Sequence, residues 1–206
     1  MFSGKFIVLD GPDGCGKSSQ SRMLADWLAG NGTEVVSFRD PGTTSIGEKV
    51  RKILLDTANE GMCVRTEMLL YMAARAQLWA EEIKPALEQG KTVILDRWVS
   101  STCAYQGFAG GFGIENVIKI AEGCLERVWP DLSIILDLDV ETSAKRLGGQ
   151  LDRMERKGSE YHQKVRDGFI EIGKYSDSVV VVNSADDIAT VHKNIVQIVK
   201  SKGDNV

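Results

Sequence analysis

The pattern of apolar and polar residues divides the chain into two kinds of segment, which alternate along it. Short runs rich in β-branched residues have few polar interruptions, which is typical of strands covered on both faces. Longer segments with the periodicity of helices lie between these runs, so we expect a parallel sheet with right-handed crossover connections. The predicted strands are Phe6 to Leu9, Glu34 to Phe38, Thr92 to Leu95, Ser133 to Leu138 and Ser178 to Val182.

The segments between the strands have the spacing of amphipathic helices. In the first of them Leu24, Trp27 and Leu28 fall on one face. There is no linker, repeat or low-complexity tract, so we predict one domain over residues 1–206 that ends in a frayed tail from Ser201. The predicted helices are Ser18 to Ala29, Thr66 to Glu88, Glu115 to Val128 and Ile188 to Lys200.

The composition is that of an ordinary globular protein, since 43% of the 206 residues are hydrophobic and 26% are charged. With a net charge of -4, the chain has no basic excess that would draw it to nucleic acid or to an anionic membrane. The apolar runs are too short to span a bilayer, and no signal-like segment precedes the first strand. We therefore expect a soluble, cytoplasmic protein that binds neither nucleic acid nor membranes.

The cysteines are scattered along the chain without a C-x-x-C pair, and the two histidines lie far from them in sequence. A structural zinc site needs clustered pairs of soft ligands, so this pattern argues against zinc. Isolated cysteines also fit a reducing cytosol better than a disulfide framework. These residues are Cys15, Cys63, Cys103, Cys124, His162 and His192.

A glycine-rich loop separates the first predicted strand from the first predicted helix. It fits the phosphate-binding motif G-x-x-x-x-G-K-[ST] in the required strand–loop–helix context. Its glycines allow N–H groups to turn inward around an anion, and the helix that begins near Lys17 adds the positive end of its dipole. Lys17 is expected to reach the β- and γ-phosphates of ATP, and the Ser18 hydroxyl to bind Mg²⁺. The predicted ATP-binding loop is Gly11-Pro12-Asp13-Gly14-Cys15-Gly16-Lys17-Ser18.

The motif favours a P-loop NTPase fold over a chance glycine-rich turn, but it does not distinguish kinases from switches, motors or recombinases. Within the loop, Cys15 allows two interpretations. We favour a small filler residue. The alternative is a redox-sensitive thiol, because a helix N-terminus lowers the pKa of a nearby thiol.

A second polar cluster is predicted where Asp96 and Arg97 follow the third strand. Ligands bind such sheets at the carboxyl ends of the strands, where an aspartate can hold a Mg²⁺-bound water and an arginine can clamp a phosphate. A lone Asp-Arg pair is more commonly a surface ion pair. Here, however, polar residues recur after it at helical spacings of three and four, which places them together beside Arg97. They are Ser101, Thr102, Tyr105 and Gln106.

Tyr71 and Arg75 are four residues apart in the second predicted helix, so they share a face. A flat ring for stacking and a guanidinium group make a reasonable pair for binding a nucleobase. Taken alone, Tyr71 would more often belong to the core.

Together these segments resemble the thymidylate kinase (dTMP kinase) family, in family order and over nearly the whole chain. The resemblance implies a P-loop fold with a five-stranded parallel sheet flanked by helices, and transfer of a phosphoryl group from ATP to dTMP with Mg²⁺ in dTTP biosynthesis. It also implies a homodimer. The segment from Asp96-Arg97 to Ala104-Tyr105-Gln106-Gly107 is the most specific, because other P-loop kinases lack it. The other matching segments are Leu9 to Gln20, Arg39 to Thr43, Gly47-Glu48 with Arg51, Leu69 to Gln77 and Asp152 to Glu155.

The resemblance also implies a role for each matching residue of the dTMP site. Arg97 is expected to clamp the dTMP phosphate, and Asp96 to position a Mg²⁺-bound water. Tyr71 stands where a ring stacks on thymine, and Tyr105 where a ring crowds the sugar 2′ position. The remaining matches are Arg75, Thr102 and Gln106 at the base edge, Asp13 at the sugar, Arg39 and Asp40 near the acceptor phosphate and metal, and Arg51 on the acceptor side. Ser101 joins this predicted site through its spacing.

Several positions depart from the family pattern. Asp40 and Thr43 replace the usual Glu and second Gly, while Ala74 and Leu78 replace an Asp and a His near the base-binding arginine. The shorter carboxylate of Asp40 is expected to act through water. These departures affect fine specificity more than reaction class, and they leave acceptors such as dUMP open as slow substrates.

A charged segment between glycines, about 148–158, is predicted to form a helical lid over ATP. Mixed charge alone more commonly marks a solvated surface. In the family a catalytic arginine lies either in the phosphate loop or in the lid, and Gly14 occupies the loop position. Arg153 is therefore predicted to be catalytic, with Lys17, Asp96 and Arg97. Arg156, three residues further on, would bind ATP from the same helical face as Arg153, and the flanking glycines are Gly148, Gly149 and Gly158.

Other functions stay open at this point. A kinase for another nucleoside monophosphate or a deoxynucleoside shares the loop but should lack the base-binding residues. A P-loop switch or assembly ATPase would act through partners, although the guanine-reading Asn-Lys-x-Asp motif of a GTP switch is absent. A purely structural relic is disfavoured because Lys17 and Ser18 are intact.

Overall fold

Parallel strands form the central sheet of the computed structural model, which describes residues 3–147 and 152–203. The strand order is β2-β3-β1-β4-β5, and every neighbouring pair is parallel. This confirms the predicted five-stranded parallel sheet. The strands are β1 (Phe6–Asp10), β2 (Val35–Arg39), β3 (Thr92–Asp96), β4 (Leu132–Asp137) and β5 (Val179–Asn183).

Helices connect the strands and lie on both sides of the sheet. α3 continues through a π-helical segment, Trp79–Ile83, into α4, and α5 continues as a second π-helical segment, Cys103–Ala109. A 3₁₀ turn, Thr57–Asn59, follows α2. The helices are α1 (Lys17–Gly30), α2 (Ser45–Leu55), α3 (Val64–Leu78), α4 (Lys84–Glu88), α5 (Val99–Thr102), α6 (Ile114–Cys124), α7 (Val140–Arg146), α8 (Ser159–Ile172) and α9 (Ile188–Gly203).

The two faces of β1 belong to two separate cores. Phe6 and Val8 pack in the cluster that includes residues of α3 and α6, whereas Ile7 and Leu9 pack in the cluster that includes residues of α1 and α9. All are at most 2% exposed, and burying each such side chain contributes about 1.5–3 kcal/mol. This double burial explains why the strand reads as a continuous apolar run.

The predicted helices are present, with some changes of extent. The helix predicted over Thr66 to Glu88 is divided by the π-helical segment, and the one predicted to reach Val128 ends at Cys124. α2, α7 and α8 were not predicted. The prediction of a helical lid is wrong for the part of it that the structure describes, since residues 152–158 form turns and not a helix. Gly148 and Gly149, the predicted hinge glycines, lie outside the described residues.

α8 packs closely against the π-helical segment Cys103–Ala109. A Cβ atom added at Gly168 of α8 would lie 2.9 Å from Phe108 Cβ and 3.0 Å from Ala104 Cα. Beside this contact Tyr105 and Phe169 pack with Met154 of the lid. This packing places α8 and Met154 of the lid against the segment Cys103–Ala109, which carries predicted dTMP-site residues.

Candidate active site

The glycine-rich loop runs from β1 into α1, as predicted from the sequence. Gly11 has φ of 139°, and a Cβ atom there would lie 2.5 Å from the carbonyl oxygen of Leu136, so only glycine fits. Gly16, with φ of 96°, precedes the first residue of α1. The Lys17 ammonium group donates to the carbonyl oxygens of Gly11 at 3.1 Å and Pro12 at 2.7 Å. The lysine thus lies across the loop, held by two of the loop's own carbonyl oxygens.

The predicted metal residues lie side by side. Ser18 Oγ donates to Asp96 Oδ2 at 2.7 Å, and both residues line the cleft in front of the loop, which has about 950 Å³ of open space. A hydroxyl and a carboxylate are hard oxygen groups of the kind that Mg²⁺ prefers, so this pair fits the ion. Within the described ranges no three His, Cys, Asp or Glu residues form a metal cluster.

Arg97 lies between the loop and the second cleft. Its φ of 71° is in the left-handed region, which is uncommon for a residue with a side chain and is often found at functional sites. The guanidinium group donates to Gly11 O and Ser101 Oγ, each at 3.0 Å, and pairs with Asp13. It also lies 5.5 Å from the centre of the Tyr105 ring. These contacts aim the arginine at the space between the two clefts.

Asp13 is a charged residue under strong local control. Burial raises the pKa of its carboxyl group, but Arg97 and Lys17 outweigh burial and lower the pKa from 3.8 to about 2. The Tyr105 hydroxyl donates to the same carboxylate at 2.7 Å. Since the folded-state pKa is lowered, the stabilisation from ionised Asp13 is present above pH 3.8 and is lost as the pH falls towards 2.

Asp10 is a site residue that the sequence analysis missed. It is fully buried, and its carboxylate accepts from Ser100 Oγ and Ser101 Oγ at 2.6 Å each and from Gly11 N at 2.9 Å. It also lies 3.6 Å from Arg97. Asp10 therefore links the end of β1 to the segment after β3. A strand-end aspartate before a glycine loop was the available clue.

A second cleft, of about 520 Å³, opens beside the phosphate loop and is partly open to solvent. Every residue of the predicted dTMP site lines it except Arg39, which lines the phosphate cleft and pairs with Glu48 at 2.8 Å. Pro41, Leu55, Asp152 and Met154 complete its wall. The predicted residues in this wall are Asp13, Asp40, Arg51, Tyr71, Arg75, Arg97, Ser101, Thr102, Tyr105 and Gln106.

Arg75 forms the floor of this acceptor cleft and is only 1% exposed. It pairs with Asp40 at 2.6 Å and donates to Thr102 Oγ1 at 3.1 Å and to the Trp98 carbonyl oxygen at 3.0 Å. The pair is buried, so removal of one partner would cost about 3–5 kcal/mol. Burial raises the pKa of Asp40 despite the opposing effect of Arg75. Its second oxygen, Oδ1, is buried without a partner among the described residues, and Asp40 lines both clefts.

Tyr71 forms one side of the acceptor cleft, one helical turn from Arg75 on α3. Burial raises the pKa of its hydroxyl group, with Glu67 adding to the effect, so the ring carries no charge at neutral pH. A neutral, half-buried ring beside polar groups is suited to stacking on a flat ligand.

Arg153, the predicted catalytic residue, lies elsewhere than expected. It is 4% exposed, pairs with Glu67 Oε2 at 2.6 Å, and donates to the Leu54 carbonyl oxygen at 2.6 Å. It lines neither the phosphate cleft nor the acceptor cleft. Arg156 is exposed, lies 3.7 Å from Glu60, and also lines neither cleft. The structure thus gives Arg153 an anchoring position, because leaving a buried ion pair is costly.

Arg146, which the sequence analysis did not single out, is the arginine of this region that lines the phosphate cleft. It ends α7 and donates to the carbonyl oxygens of Ser184 at 3.1 Å and Ala185 at 3.4 Å. It also lines a groove that leads from the loop past Gln20 to the start of α9. A lone arginine at the end of a short helix gave no pattern that could have found it.

Glu67 was also missed, although it connects three parts of the site. The carboxylate is 1% exposed and accepts from Gln106 Nε2 at 2.7 Å, in addition to its pair with Arg153. Lys157 of the lid lies 3.4 Å from both oxygens. No spacing rule indicates that such distant residues meet at one carboxylate.

Comparison with known proteins identifies the family of this chain. The family model for thymidylate kinase matches residues 9–195 of the chain. The chain belongs to the thymidylate kinase family. The thymidylate kinase of Thermoanaerobacter sp. (strain X514) is 44% identical over 199 residues, which cover 96% of this chain and 98% of that protein. The thymidylate kinase of Symbiobacterium thermophilum is 43% identical over 197 residues, covering 95% and 92% respectively.

A solved structure supports the same assignment. The crystal structure of thymidylate kinase from Ehrlichia chaffeensis superposes with a TM-score of 0.77 at 32% identity, covering 95% of this chain and 98% of that one. As a member of the thymidylate kinase family, the chain is a nucleoside monophosphate kinase with the α/β P-loop fold, and it phosphorylates dTMP in nucleotide biosynthesis. Among the described residues, no helix is long and apolar enough to cross a membrane.

Proposed function

We propose that the two clefts hold the two substrates of this kinase, with dTMP in the acceptor cleft and the ATP phosphates in front of the loop. The observation that carries the proposal is the position of Arg97. Its guanidinium group lies within bonding distance of Gly11 in the loop and of Ser101 in the acceptor cleft. An arginine there can clamp the dTMP phosphate and hold it towards the γ-phosphate of ATP.

The phosphoryl transfer itself requires alignment and positive charge more than covalent chemistry. The attacking atom is an oxygen of the dTMP phosphate, so no nucleophilic side chain is needed. Ser18 and Asp96 would hold Mg²⁺ with its waters, and the ion supplies charge that neutralises the phosphate oxygens. Lys17 binds the β- and γ-phosphates, and Arg97 stabilises charge from the acceptor side.

The third source of positive charge in this proposal is Arg146. It lines the phosphate cleft, and the Ser184 and Ala185 carbonyl oxygens hold it in place. The groove beyond it, which Gln20 and Ile188 also line, offers room for the ATP base. Arg153 then acts as the anchor that ties the lid to α3 through Glu67.

The thymine base would lie between Tyr71 and the polar floor of the acceptor cleft. Tyr71 stacks on the ring, while Thr102 and Gln106 meet its polar edge above Arg75. Tyr105, held by its bond to Asp13, crowds the sugar and disfavours a 2′-hydroxyl group.

The proposed assembly is a homodimer in a reducing cytoplasm. Ile46 and Ile53 of α2 are 49% and 46% exposed, and Leu69 of the adjoining α3 is 56% exposed. This unpaired apolar surface supports an interface between copies. Cys15, Cys63, Cys103 and Cys124 are all free thiols, which fits a reducing compartment, and the net charge of -4 gives no support to nucleic acid binding.

An ADP-release assay with ATP and Mg²⁺ tests the proposal, with dTMP, dUMP, UMP, CMP, AMP and GMP offered in turn. We expect a clear preference for dTMP, and Lys17→Met as a control that abolishes turnover. A preference for another monophosphate would discard the base-binding residues but keep the phosphate chemistry. Absence of turnover with every acceptor would favour an ATPase that depends on a partner.

A further inference from the structure

Glu67 is a buried carboxylate placed directly behind the base-binding residues. It lies on α3 one helical turn before Tyr71 and two turns before Arg75, so the three residues share a face. Burying a carboxylate is costly unless it is paired and hydrogen-bonded, and here Arg153 and Lys157 supply the positive charge. These contacts place Glu67 between the lid and the base-binding residues.

The contact with Gln106 determines how that side chain faces a ligand. A carboxylate paired with two cations offers only acceptor atoms, so it can bond only the NH₂ end of the Gln106 carboxamide. The 2.7 Å contact therefore occupies the amide nitrogen and turns the carbonyl oxygen away from Glu67. Because Gln106 lines the acceptor cleft, that oxygen is the atom that meets the base.

The Gln106 carbonyl oxygen accepts hydrogen bonds, so at this position in the cleft it discriminates between pyrimidine bases. Thymine and uracil carry a donor at N3–H, whereas cytosine has a bare acceptor nitrogen at N3. Thr102 favours the same bases. Its hydroxyl oxygen accepts from Arg75, so the hydroxyl proton remains available for a carbonyl group of the base, such as O4 of thymine or uracil. Cytosine carries an amino group at that position, so both contacts disfavour it.

We infer that Glu67 is a specificity-determining positioning residue, which holds the Gln106 carboxamide so that the cleft accepts bases with an N3–H and rejects cytosine. The inference rests on the proposed function, because it requires dTMP to bind in the acceptor cleft. Glu67 itself does not touch the substrate; it acts through Gln106.

The test compares kcat/KM for dTMP, dUMP and dCMP between the wild-type chain and Glu67→Gln. In the wild type, unpaired polar groups should disfavour dCMP by about 10⁴-fold. The new amide can donate as well as accept, so the Gln106 carboxamide is free to turn over. We expect the dTMP:dCMP ratio to fall at least about tenfold, mainly through KM, because one mismatched polar contact is removed. The dTMP:dUMP ratio should stay unchanged, since both bases carry N3–H.

Two controls separate orientation from general damage. Lys157→Met removes a cation next to Glu67 but leaves the Gln106 contact, so the dTMP:dCMP ratio should equal that of the wild type. Gln106→Leu removes the carboxamide and should lower the ratio by itself. Adding Glu67→Gln to Gln106→Leu should change the ratio no further, because the two residues act as a unit.

A third variant covers the case in which Glu67→Gln does not fold, since it leaves the Arg153 charge buried without a negatively charged partner. The double variant Glu67→Gln/Arg153→Met removes both charges at similar volume and is compared with Arg153→Met alone. A ratio that stays at the wild-type value in a folded Glu67 variant would overturn the inference. This includes the case in which kcat/KM falls equally for dTMP and dCMP, which would leave Glu67 a purely structural role. A wild-type chain that does not turn over dTMP would instead overturn the proposed function.

Discussion

At the scale of single residues, two arginines near the lid differ in what surrounds them. Arg146 is exposed and lines the phosphate cleft, whereas Arg153 is buried against Glu67. A transition state that develops negative charge needs an arginine that can reach it. This difference in accessibility is the reason why we propose that Arg146 acts on the phosphates and that Arg153 stabilises the fold.

We expect Arg146→Ala to lower kcat by about a hundredfold or more with little change in stability, because it removes a charge from the phosphate cleft. Arg153→Met should lower the free energy of unfolding by about 3–5 kcal/mol, because Glu67 loses its buried partner. Steady-state kinetics and urea unfolding of both variants check this. The sequence-based hypothesis predicts the reverse for Arg153, a large loss of turnover in a stable protein, and that result would restore it.

Two cysteines should differ in reactivity for a related reason. Burial raises the pKa of the Cys15 thiol more than Lys17 lowers it, whereas hydrogen bonds from Thr66 lower the pKa of exposed Cys63. The thiolate is the reactive form, so Cys63 should alkylate at lower pH than Cys15.

Iodoacetamide labelling at a series of pH values, followed by peptide mass spectrometry, measures this order. We expect Cys63 to be modified first and kinase activity to persist while it is modified, with Cys63→Ser as the control that removes the early label. Early modification of Cys15 with loss of activity would instead support the redox-sensitive thiol.

At the scale of elements, the contact between α8 and the segment Cys103–Ala109 supports part of the acceptor cleft, including Tyr105. Gly168 allows this close approach, since an added Cβ atom would lie 2.9 Å from Phe108. The packing supports Tyr105 from behind through Phe169, whose ring centre lies 6.0 Å away.

Gly168→Ala should lower the free energy of unfolding by about 1–3 kcal/mol, because backbone and side chain must shift to admit the methyl group. Gly123→Ala, in α6, is the matched control: nothing lies within 4 Å of its added Cβ, so helix propensity should make it neutral or stabilising by up to about 1 kcal/mol. Urea unfolding of the two variants gives the comparison. Equal free energies of unfolding for the two variants would contradict this prediction, because they would mean that α8 and the segment Cys103–Ala109 accommodate the added methyl group without cost.

The central strands could be predicted from the sequence, because strands buried on both faces are mostly apolar, and β1 is apolar from Phe6 to Leu9. The edge strands β2 and β5 are only partly buried, but their β-branched runs also predicted them. α8 was not predicted, although its apolar positions Val165, Phe169 and Ile172 have the spacing of one helical face, because Gly168, a weak helix former, lies among them. The glycine loop and the set of residues that line the acceptor cleft could be identified from the sequence, because they form local motifs or match a family pattern. Glu67 and Arg146 could not, because their partners are far away in sequence and only the folded chain brings them together.

At the scale of the whole molecule, the exposed apolar side chains of α2 and α3 mark the surface where the proposed dimer would form. Leu69→Glu should shift the protein to a monomer, since a charge in an apolar interface loses its hydration. Ile170→Glu, at a position of α8 that is 45% exposed, is the control and should leave assembly unchanged. Sedimentation equilibrium measures the mass against the 22.6 kDa of one chain. A wild-type mass of one chain at micromolar concentration would contradict the dimer.

The strand order has a consequence for synthesis of the chain. β1 is made before both of its neighbours in the sheet, β3 and β4: Val93, the partner of Phe6, follows it by 87 positions, and Leu132, the partner of Ile7, follows it by 125. A nascent chain that ends before Thr92 carries the whole glycine loop but neither strand that supports it, and Asp96 and Arg97 are still missing. Because non-local strand pairing must await both partners, the growing chain cannot hold a nucleotide in the finished site before β4 has left the ribosome.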